Sequence, residues 1–235
     1  MVEKEYANKW ENSSRFFQAN TYYKWMCEFV KPYQTIVEIG CGTGYSTLSL
    51  IESGHKVICV DNNQYCLDAA QELLAKSNRD SQSQFHNRDF ITDLRFKEEL
   101  KRIPFDCIVC WNIGTYYSVD KIKMYLPFFD EYGLTREQVA SNITNSYSEL
   151  MIWNACKLAV CKGSAVHIVE RAQEEINEKN GVYYQLLAKE FGFSSVSFSH
   201  LNGLTLSDGG ISLESQGIAL QGDAIPVVFN SILLA

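Results

Sequence analysis

A glycine-rich segment that follows a short apolar run is the part of the sequence best suited to bind a ligand. The residues VEIGCGTGYS place Gly40, Gly42 and Gly44 at alternate positions, where a predicted strand turns into a helix. Glycine carries no side chain, so the backbone can approach a ligand closely there. Ligands of open α/β sheets generally bind at the carboxyl ends of the strands. The pattern therefore predicts a binding loop after the first strand.

An acidic residue ends the next apolar run, KVICVD. A carboxylate at this strand tip, Asp61, can accept hydrogen bonds from both hydroxyls of a ribose, and Asn62 beside it can line the adenine side. In the alternative interpretation the glycines only form a tight turn and Asp61 caps the following helix. We favour ligand binding because the loop and the acid occur together at the ends of successive strands.

The glycine spacing argues against two common nucleotide-binding loops. A dinucleotide fingerprint, G-x-G-x-x-G, needs a glycine at position 45, where this chain has Tyr45. A P-loop needs Gly-Lys-Ser/Thr, which does not follow the glycines. A nicotinamide-dependent oxidoreductase is therefore a distant alternative.

Taken in order, these motifs resemble those of the class I S-adenosylmethionine-dependent methyltransferases. The segments VEIGCGTG, VICVD, NRDF and FDCIVCWNIGT follow one another over about residues 36–115. The resemblance implies S-adenosylmethionine as the cofactor and in-line displacement of its sulfonium methyl by an O or N acceptor. It also implies a cofactor-binding set, which consists of Glu38, Gly40, Gly42, Gly44, Asp61, Asn62, Asp89, Phe90, Trp111 and Asn112.

The resemblance implies different roles within this set. The glycines would pass under the methionine portion, and Glu38 would orient their loop or meet the cofactor's amino group through water. Asp89 would lie near the adenine amine, with Phe90 packed on the ring. Trp111 and Asn112, at the tip of the fourth strand, would face the methyl group.

The side of the site that holds the acceptor is less well marked. Residues 115–140 are rich in aromatic side chains and predict a lid at the methyl-transfer end. Tyr116 and Tyr117 are candidates to orient the acceptor, and Glu170 at the end of the fifth strand is a third catalytic candidate. Alternatively, the rings pack a helix against the sheet and Glu170 forms a surface pair with Arg171. A general base is needed only if the acceptor enters protonated.

Charge and composition bear on the class of acceptor. The chain has 28 acidic and 21 basic residues, a formal charge of −7, and we find no basic arm that would bind nucleic acid. It also lacks the Pro-Pro pair found in many enzymes that methylate nucleobase amines. We therefore expect a small-molecule acceptor. A protein or RNA methyltransferase and a non-catalytic S-adenosylmethionine-binding protein remain the alternatives.

Strands and helices that alternate after Pro32 must position these residues. The alternation predicts one α/β domain over residues 1–235, with a doubly wound, Rossmann-like, mainly parallel seven-stranded sheet. Two successive strands at the end predict a C-terminal antiparallel hairpin, joined by a long loop at 203–224. Residues 1–32 predict an N-terminal helical cap, which either folds over the cofactor through Arg15, Tyr22 and Tyr23 or only packs against the fold as an amphipathic helix.

Other sequence features set the expected environment. No run of about 18 apolar residues is present, so we expect no membrane span. The eight cysteines are spread through apolar runs, which predicts buried free thiols and a cytoplasmic protein. The histidines have no companions at metal-ligand spacing, so we predict no metal site; His167, within a strand, is expected in the core.

Overall fold

The computed structural model describes residues 3–113, 122–206 and 224–235. Its strands are β1 (Thr35–Ile39), β2 (Lys56–Asp61), β3 (Ser83–Asn87), β4 (Cys107–Trp111), β5 (Ala165–Ala172), β6 (Val196–Leu206) and β7 (Ala224–Leu234). Its helices are α1 (Glu3–Ala19), α2 (Tyr22–Glu28), α3 (Tyr45–Glu52), α4 (Gln64–Lys76), α5 (Leu94–Leu100), α6 (Ile122–Tyr132), α7 (Arg136–Ser141), α8 (Ile143–Val160) and α9 (Val182–Phe191). A short 3-10 helix, Asp80–Gln82, precedes β3.

The strands form one seven-stranded sheet in the order β3-β2-β1-β4-β5-β7-β6. Strands β1 to β5 pair in parallel, whereas β7 lies antiparallel between β5 and β6. The predicted doubly wound fold and its terminal hairpin are therefore confirmed. The central strands are buried along nearly their whole length, as expected for parallel strands covered by helices on both faces.

Successive strand residues point to opposite faces and build two apolar layers. Val37 and Ile39 pack with α5, α6, α8 and α9, whereas Ile36 packs on the other face with α1 to α4. The helices α1 and α2 occupy the segment predicted as the N-terminal cap. The fully buried ring of Phe17 fixes α1 against β7, since its centroid lies 5.3 Å from that of Phe229.

Two predicted segments fall partly outside the described residues. Tyr116 and Tyr117 belong to the undescribed stretch 114–121, and most of the 203–224 loop belongs to 207–223. The rest of the predicted lid forms α6, α7 and the connections around them. Tyr125 and Phe129 of α6 are buried in the layer that contains α8, which matches the alternative in which these rings pack a helix against the sheet.

The cysteines largely match the expectation of buried free thiols. All eight cysteines are free, and seven of them are buried; Cys161 is exposed. In residues 3–113, 122–206 and 224–235, no helix is both long and apolar enough to span a bilayer.

Candidate functional site

A cleft lies at the carboxyl ends of β1, β2 and β4. Two loop glycines, the end of β2 and the residue after β4 form its floor, and side chains of α1 and α8 form its walls. Six residues of the predicted cofactor set line this cleft: Gly40, Gly42, Asp61, Asn62, Phe90 and Asn112. Four do not: Glu38, Gly44, Asp89 and Trp111.

The glycine loop requires glycine for both conformation and space. Gly40, Gly42 and Gly44 have φ values of +73°, +53° and +85°, in the left-handed region that residues with side chains disfavour. A Cβ on Gly42 would lie 2.3 Å from Nε1 of Trp10, and one on Gly44 would lie 2.7 Å from Cβ of Ala70. Gly42 thus lets α1 approach the loop, whereas Gly44 lets α4 approach the start of α3.

The carboxylate of Asp61 links the glycine loop to the end of β2. Its Oδ2 accepts the N–H of Gly42 at 2.9 Å, and its Oδ1 accepts the N–H of Asn63 at 2.9 Å. The N-cap of α4 is Asn63, whose side chain accepts the N–H of Tyr65 at 3.0 Å. The alternative in which Asp61 caps that helix is therefore wrong, and the carboxylate lies at the cleft.

Glu38 lies directly behind the loop. Its side chain is 1% exposed, and its Oε2 accepts the hydroxyl hydrogen of Thr47 at 2.6 Å. Burial raises the pKa of Glu38 to about 7. Because Glu38 does not line the cleft, its contacts fit the predicted orienting role rather than direct contact with a ligand.

Asp89 shapes the turn after β3 instead of lining the cleft. Its Oδ1 accepts the N–H groups of Ile91 at 3.1 Å and Thr92 at 3.0 Å. Its Oδ2 accepts the hydroxyl hydrogen of Tyr125 at 2.7 Å. The next residue, Phe90, is buried and lines the cleft. Thus Phe90 lines the cleft and Asp89 does not, and their contacts with the adenine stay predictions.

Trp111 points into the core. Its Nε1 donates to Nδ1 of His167 at 2.9 Å, so the neutral imidazole carries its hydrogen on Nε2, which contacts Oγ of Ser231 at 2.8 Å. Burial lowers the pKa of His167 to about 3. His167 is thus the core residue that its strand position predicts.

Asn112, one residue further along, is the polar group at the end of β4 that lines the cleft. It is 6% exposed and has φ +53°. Neither its Oδ1 nor its Nδ2 has a hydrogen-bond partner within the described part of the chain. A buried amide without partners is costly, and a polar ligand in the cleft would satisfy it.

Glu170, the predicted catalytic acid, lies away from the cleft. Its Oε2 accepts a hydrogen bond from the hydroxyl of Tyr184 on α9, and burial raises the pKa of Glu170. The adjacent Arg171 points to the other face, where it contacts α1. The two residues therefore do not form the surface pair considered as an alternative, and Glu170 is not part of the cleft.

Sequence reasoning missed the walls of the cleft. These residues are Tyr6 and Trp10 on α1, Asn63 and Arg88 near β2 and β3, and Tyr147 and Met151 on α8. The N-terminal candidates Arg15, Tyr22 and Tyr23 do not line the cleft; Arg15 pairs with Glu11 on the surface, and the hydroxyl of Tyr22 accepts the N–H of Leu204. The helical spacing of Tyr6, Trp10 and Phe17 carried a signal for the apolar face of α1.

Across the described ranges, no group of three or more His, Cys, Asp and Glu side chains is arranged to hold a metal ion.

Comparisons with known proteins bear on the domain and the fold. Residues 36–127 match the family model described as a methyltransferase domain. A search of curated proteins finds no match.

Solved structures of low sequence identity share the fold. A SAM-dependent methyltransferase from Agrobacterium tumefaciens has a TM-score of 0.53 at 12% identity, over 92% of this chain and 62% of its own. An O-methyltransferase family protein from Burkholderia thailandensis has a TM-score of 0.50 at 10% identity, over 94% and 57%. A candidate RNA methyltransferase from Pyrococcus horikoshii has a TM-score of 0.50 at 13% identity, over 92% and 83%.

The matched segment contains the glycine loop, the acid that ends β2 and all of β4. This segment therefore matches a methyltransferase domain, and the fold of the chain is shared with solved structures that include a SAM-dependent (S-adenosylmethionine-dependent) methyltransferase. The cleft fits that cofactor because it combines a backbone without side chains at Gly40 and Gly42, the carboxylate of Asp61, and the unpartnered amide of Asn112.

Proposed function

We propose that this enzyme methylates an O or N atom of a small molecule. The observation that carries the proposal is the wall formed by α1. Tyr6 and Trp10 on α1 line the cleft together with Tyr147 and Met151 on α8, and the ring of Trp10 lies against Gly42. A cleft walled on both sides suits a small acceptor better than an open groove for a macromolecule.

In this proposal, different residues of the described chain bind different parts of the cofactor. Gly40 and Gly42 present backbone to the methionine portion, Asp61 and Asn62 bind the ribose and flank the adenine, and Phe90 packs on the adenine. Glu38 holds the loop from behind through Thr47. S-adenosylmethionine, when bound, supplies an electrophilic sulfonium methyl group.

The chain then has to position the acceptor. Asn112 is placed to orient a polar group at the end of β4, and Trp10 limits access of water from the side of α1. Tyr116 and Tyr117 stay predictions for orienting the acceptor. Glu170 is left out of the proposed site because Tyr184 holds it away from the cleft.

The charge of the chain and its cysteines support the remaining parts of the proposal. A formal charge of −7 disfavours attraction to nucleic acid or an anionic membrane. We also propose a cytoplasmic setting, which the eight free cysteines support because such thiols persist in reducing compartments.

Transfer of a labelled methyl group to three fractions of a cell extract tests this proposal. The fractions are the small-molecule filtrate, total RNA and total protein, each incubated with methyl-labelled S-adenosylmethionine and the wild-type enzyme. We expect label in the filtrate, and at least about fivefold less of it when Asp61→Ala replaces the wild type at limiting cofactor. Label in RNA or protein alone would overturn the small-molecule acceptor. Binding of S-adenosylhomocysteine without transfer to any fraction would indicate a sequestering protein.

A further inference from the structure

Arg171, near the end of β5, is a partly buried cation among aromatic rings. Its guanidinium carbon lies 5.8 Å from the ring centroid of Trp10 and 5.5 Å from that of Phe17. Its Nη1 donates to Oγ1 of Thr205 at 2.9 Å. Because an arginine side chain has five N–H donors, this one bond leaves most of its donor capacity for another partner.

Among the described residues, no carboxylate neutralises the charge of Arg171. Within the described ranges, no Asp or Glu oxygen lies within 4.0 Å of its nitrogen atoms. The adjacent carboxyl group, Glu170, lies on the other face and bonds to Tyr184. A buried guanidinium is costly unless an anion or several hydrogen bonds compensate it. Desolvation accordingly lowers the pKa of Arg171, although arginine stays charged.

Arg171 lies at the same edge of the sheet as the unpartnered amide of the cleft. The N–H of Asn112 donates to the carbonyl of Val169 at 2.8 Å, two residues before Arg171 on β5. Trp10 connects the two positions, since its ring lines the cleft and also contacts the guanidinium. A ligand that extends from Asn112 along the end of β5 would therefore meet Arg171.

We propose that Arg171 binds an anionic oxygen group, a carboxylate or a phosphate, on the methyl acceptor. Guanidinium groups bind both anions through paired N–H donors. This inference rests on the proposed function, because it assigns the acceptor to the end of β5 beside the cofactor cleft. It makes Arg171 a residue that determines specificity, and it narrows the acceptor to small acids or phosphate esters.

Three matched probes test the anion preference: benzoate, phenyl phosphate and neutral benzamide. Their binding to the wild-type protein saturated with S-adenosylhomocysteine is measured by ligand-observed NMR, and the series is repeated without S-adenosylhomocysteine. We expect at least one anion to bind about tenfold more tightly than benzamide, as for one charge-assisted contact. The anion that binds more tightly shows whether the site prefers a carboxylate or a phosphate on the acceptor. Equal binding of all three probes would overturn the proposal.

Substitutions at position 171 test whether the Arg171 side chain causes the preference for anions. Arg171→Gln should abolish the preference for the anions, and Arg171→Lys should keep part of it. Lys162→Gln is the matched control, because Lys162 also lies over an aromatic ring, 5.9 Å from the centroid of Phe105, but before the start of β5. It should keep the full preference. An unchanged preference in Arg171→Gln would contradict the assignment.

The cofactor's own carboxylate is the competing target. In the proposal, Arg171→Gln binds S-adenosylhomocysteine within about twofold of the wild type, since no charge-assisted bond to the cofactor is lost. A larger loss, absent for 5′-methylthioadenosine, which lacks the amino-acid portion, would reassign Arg171 to the cofactor and overturn the proposal. Failure of the wild type to bind S-adenosylhomocysteine would instead count against the proposed function, and the probe series without it would still report on Arg171.

Discussion

The indole of Trp10 lies against the backbone of Gly42, so closely that a Cβ on the glycine would come within 2.3 Å of Nε1. Two further contacts hold α1 in this position. Nδ2 of Asn63 donates to the carbonyl of Glu3 at 3.0 Å, and the hydroxyl of Ser49 donates to Oε1 of Gln18 at 2.7 Å. The N-terminal helix is therefore an integral wall of the cleft.

Gly42→Ala tests this close approach. The alanine would be strained at φ +53° and would also collide with Trp10. We expect the free energy of unfolding, measured by urea denaturation, to fall by about 2–5 kcal/mol from strain and overpacking together. Gly163→Ala is the control, since Gly163 has φ +64° and open space around its Cβ position. It should lose only about 1–2 kcal/mol. Equal losses in the two variants would argue against the contact with Trp10.

Asp61→Ala should weaken binding of S-adenosylhomocysteine by about 1–3 kcal/mol, because ribose hydroxyls would lose their acceptor. Asp106→Ala provides a control for lost backbone contacts. The Oδ2 atom of Asp106 accepts the N–H groups of Gln34 and Thr35, each at 2.9 Å, at the opposite edge of the sheet. Calorimetric titration should show unchanged affinity in Asp106→Ala. Similar affinity losses in both variants would mean that Asp61 acts only through the fold.

Asn112→Gly separates function from stability. Glycine adopts φ +53° without strain, and the substitution removes a buried amide that lacks partners. We expect a stability within about 1 kcal/mol of the wild type. Affinity for S-adenosylhomocysteine, or the rate of methyl transfer, should fall about tenfold, as for one lost hydrogen bond. Asn78→Gly, at an exposed residue with the same φ, should change neither.

The pH dependence of stability should report on Glu38. Its pKa is 4.5 when unfolded and about 7 in the folded chain, so between these values the folded state holds a proton that the unfolded state has lost. Stability contributed by this group therefore falls as pH rises through that window, by at most about 3 kcal/mol.

Glu38→Gln removes this titration while keeping an acceptor for Thr47. Urea denaturation between about pH 5 and 7.5 should show the variant gaining stability relative to the wild type as pH rises. Other buried acids such as Glu170 titrate in both proteins and cancel in the difference. Parallel curves for the two proteins would refute the raised pKa of Glu38.

The fold and the floor of the cleft were predictable because their signals are local. The alternation of strands and helices and the run from Gly40 to Gly44 lie within short stretches of sequence. The acid at the tip of β2 is likewise visible as the end of an apolar run. To recognise these features in the sequence, only the periodicity of strands and helices and the steric freedom of glycine are needed.

The choice between adjacent residues was not predictable from motifs. At the end of β4, Asn112 lines the cleft while Trp111 bonds to His167 in the core. After β3, Phe90 lines it while Asp89 holds a turn. Which of two adjacent residues lines the cleft depends on the face to which each side chain points at the end of the strand. For Asn112 it also depends on a positive φ.

The walls of the cleft depend on contacts between residues far apart in the chain. Trp10 meets Gly42 only because α1 packs across the start of α3, and Tyr147 reaches the cleft from α8. The spacing of residues along a sequence carries no information on such long-range contacts, although it does show the apolar positions of α1.

The most direct test of the central claim is calorimetric titration of the wild-type protein with S-adenosylhomocysteine and, separately, with NAD. The glycine loop and the carboxylate of Asp61 predict saturable binding of S-adenosylhomocysteine and no binding of NAD. Binding of NAD without S-adenosylhomocysteine, or of neither, would contradict the assignment of the cleft to S-adenosylmethionine.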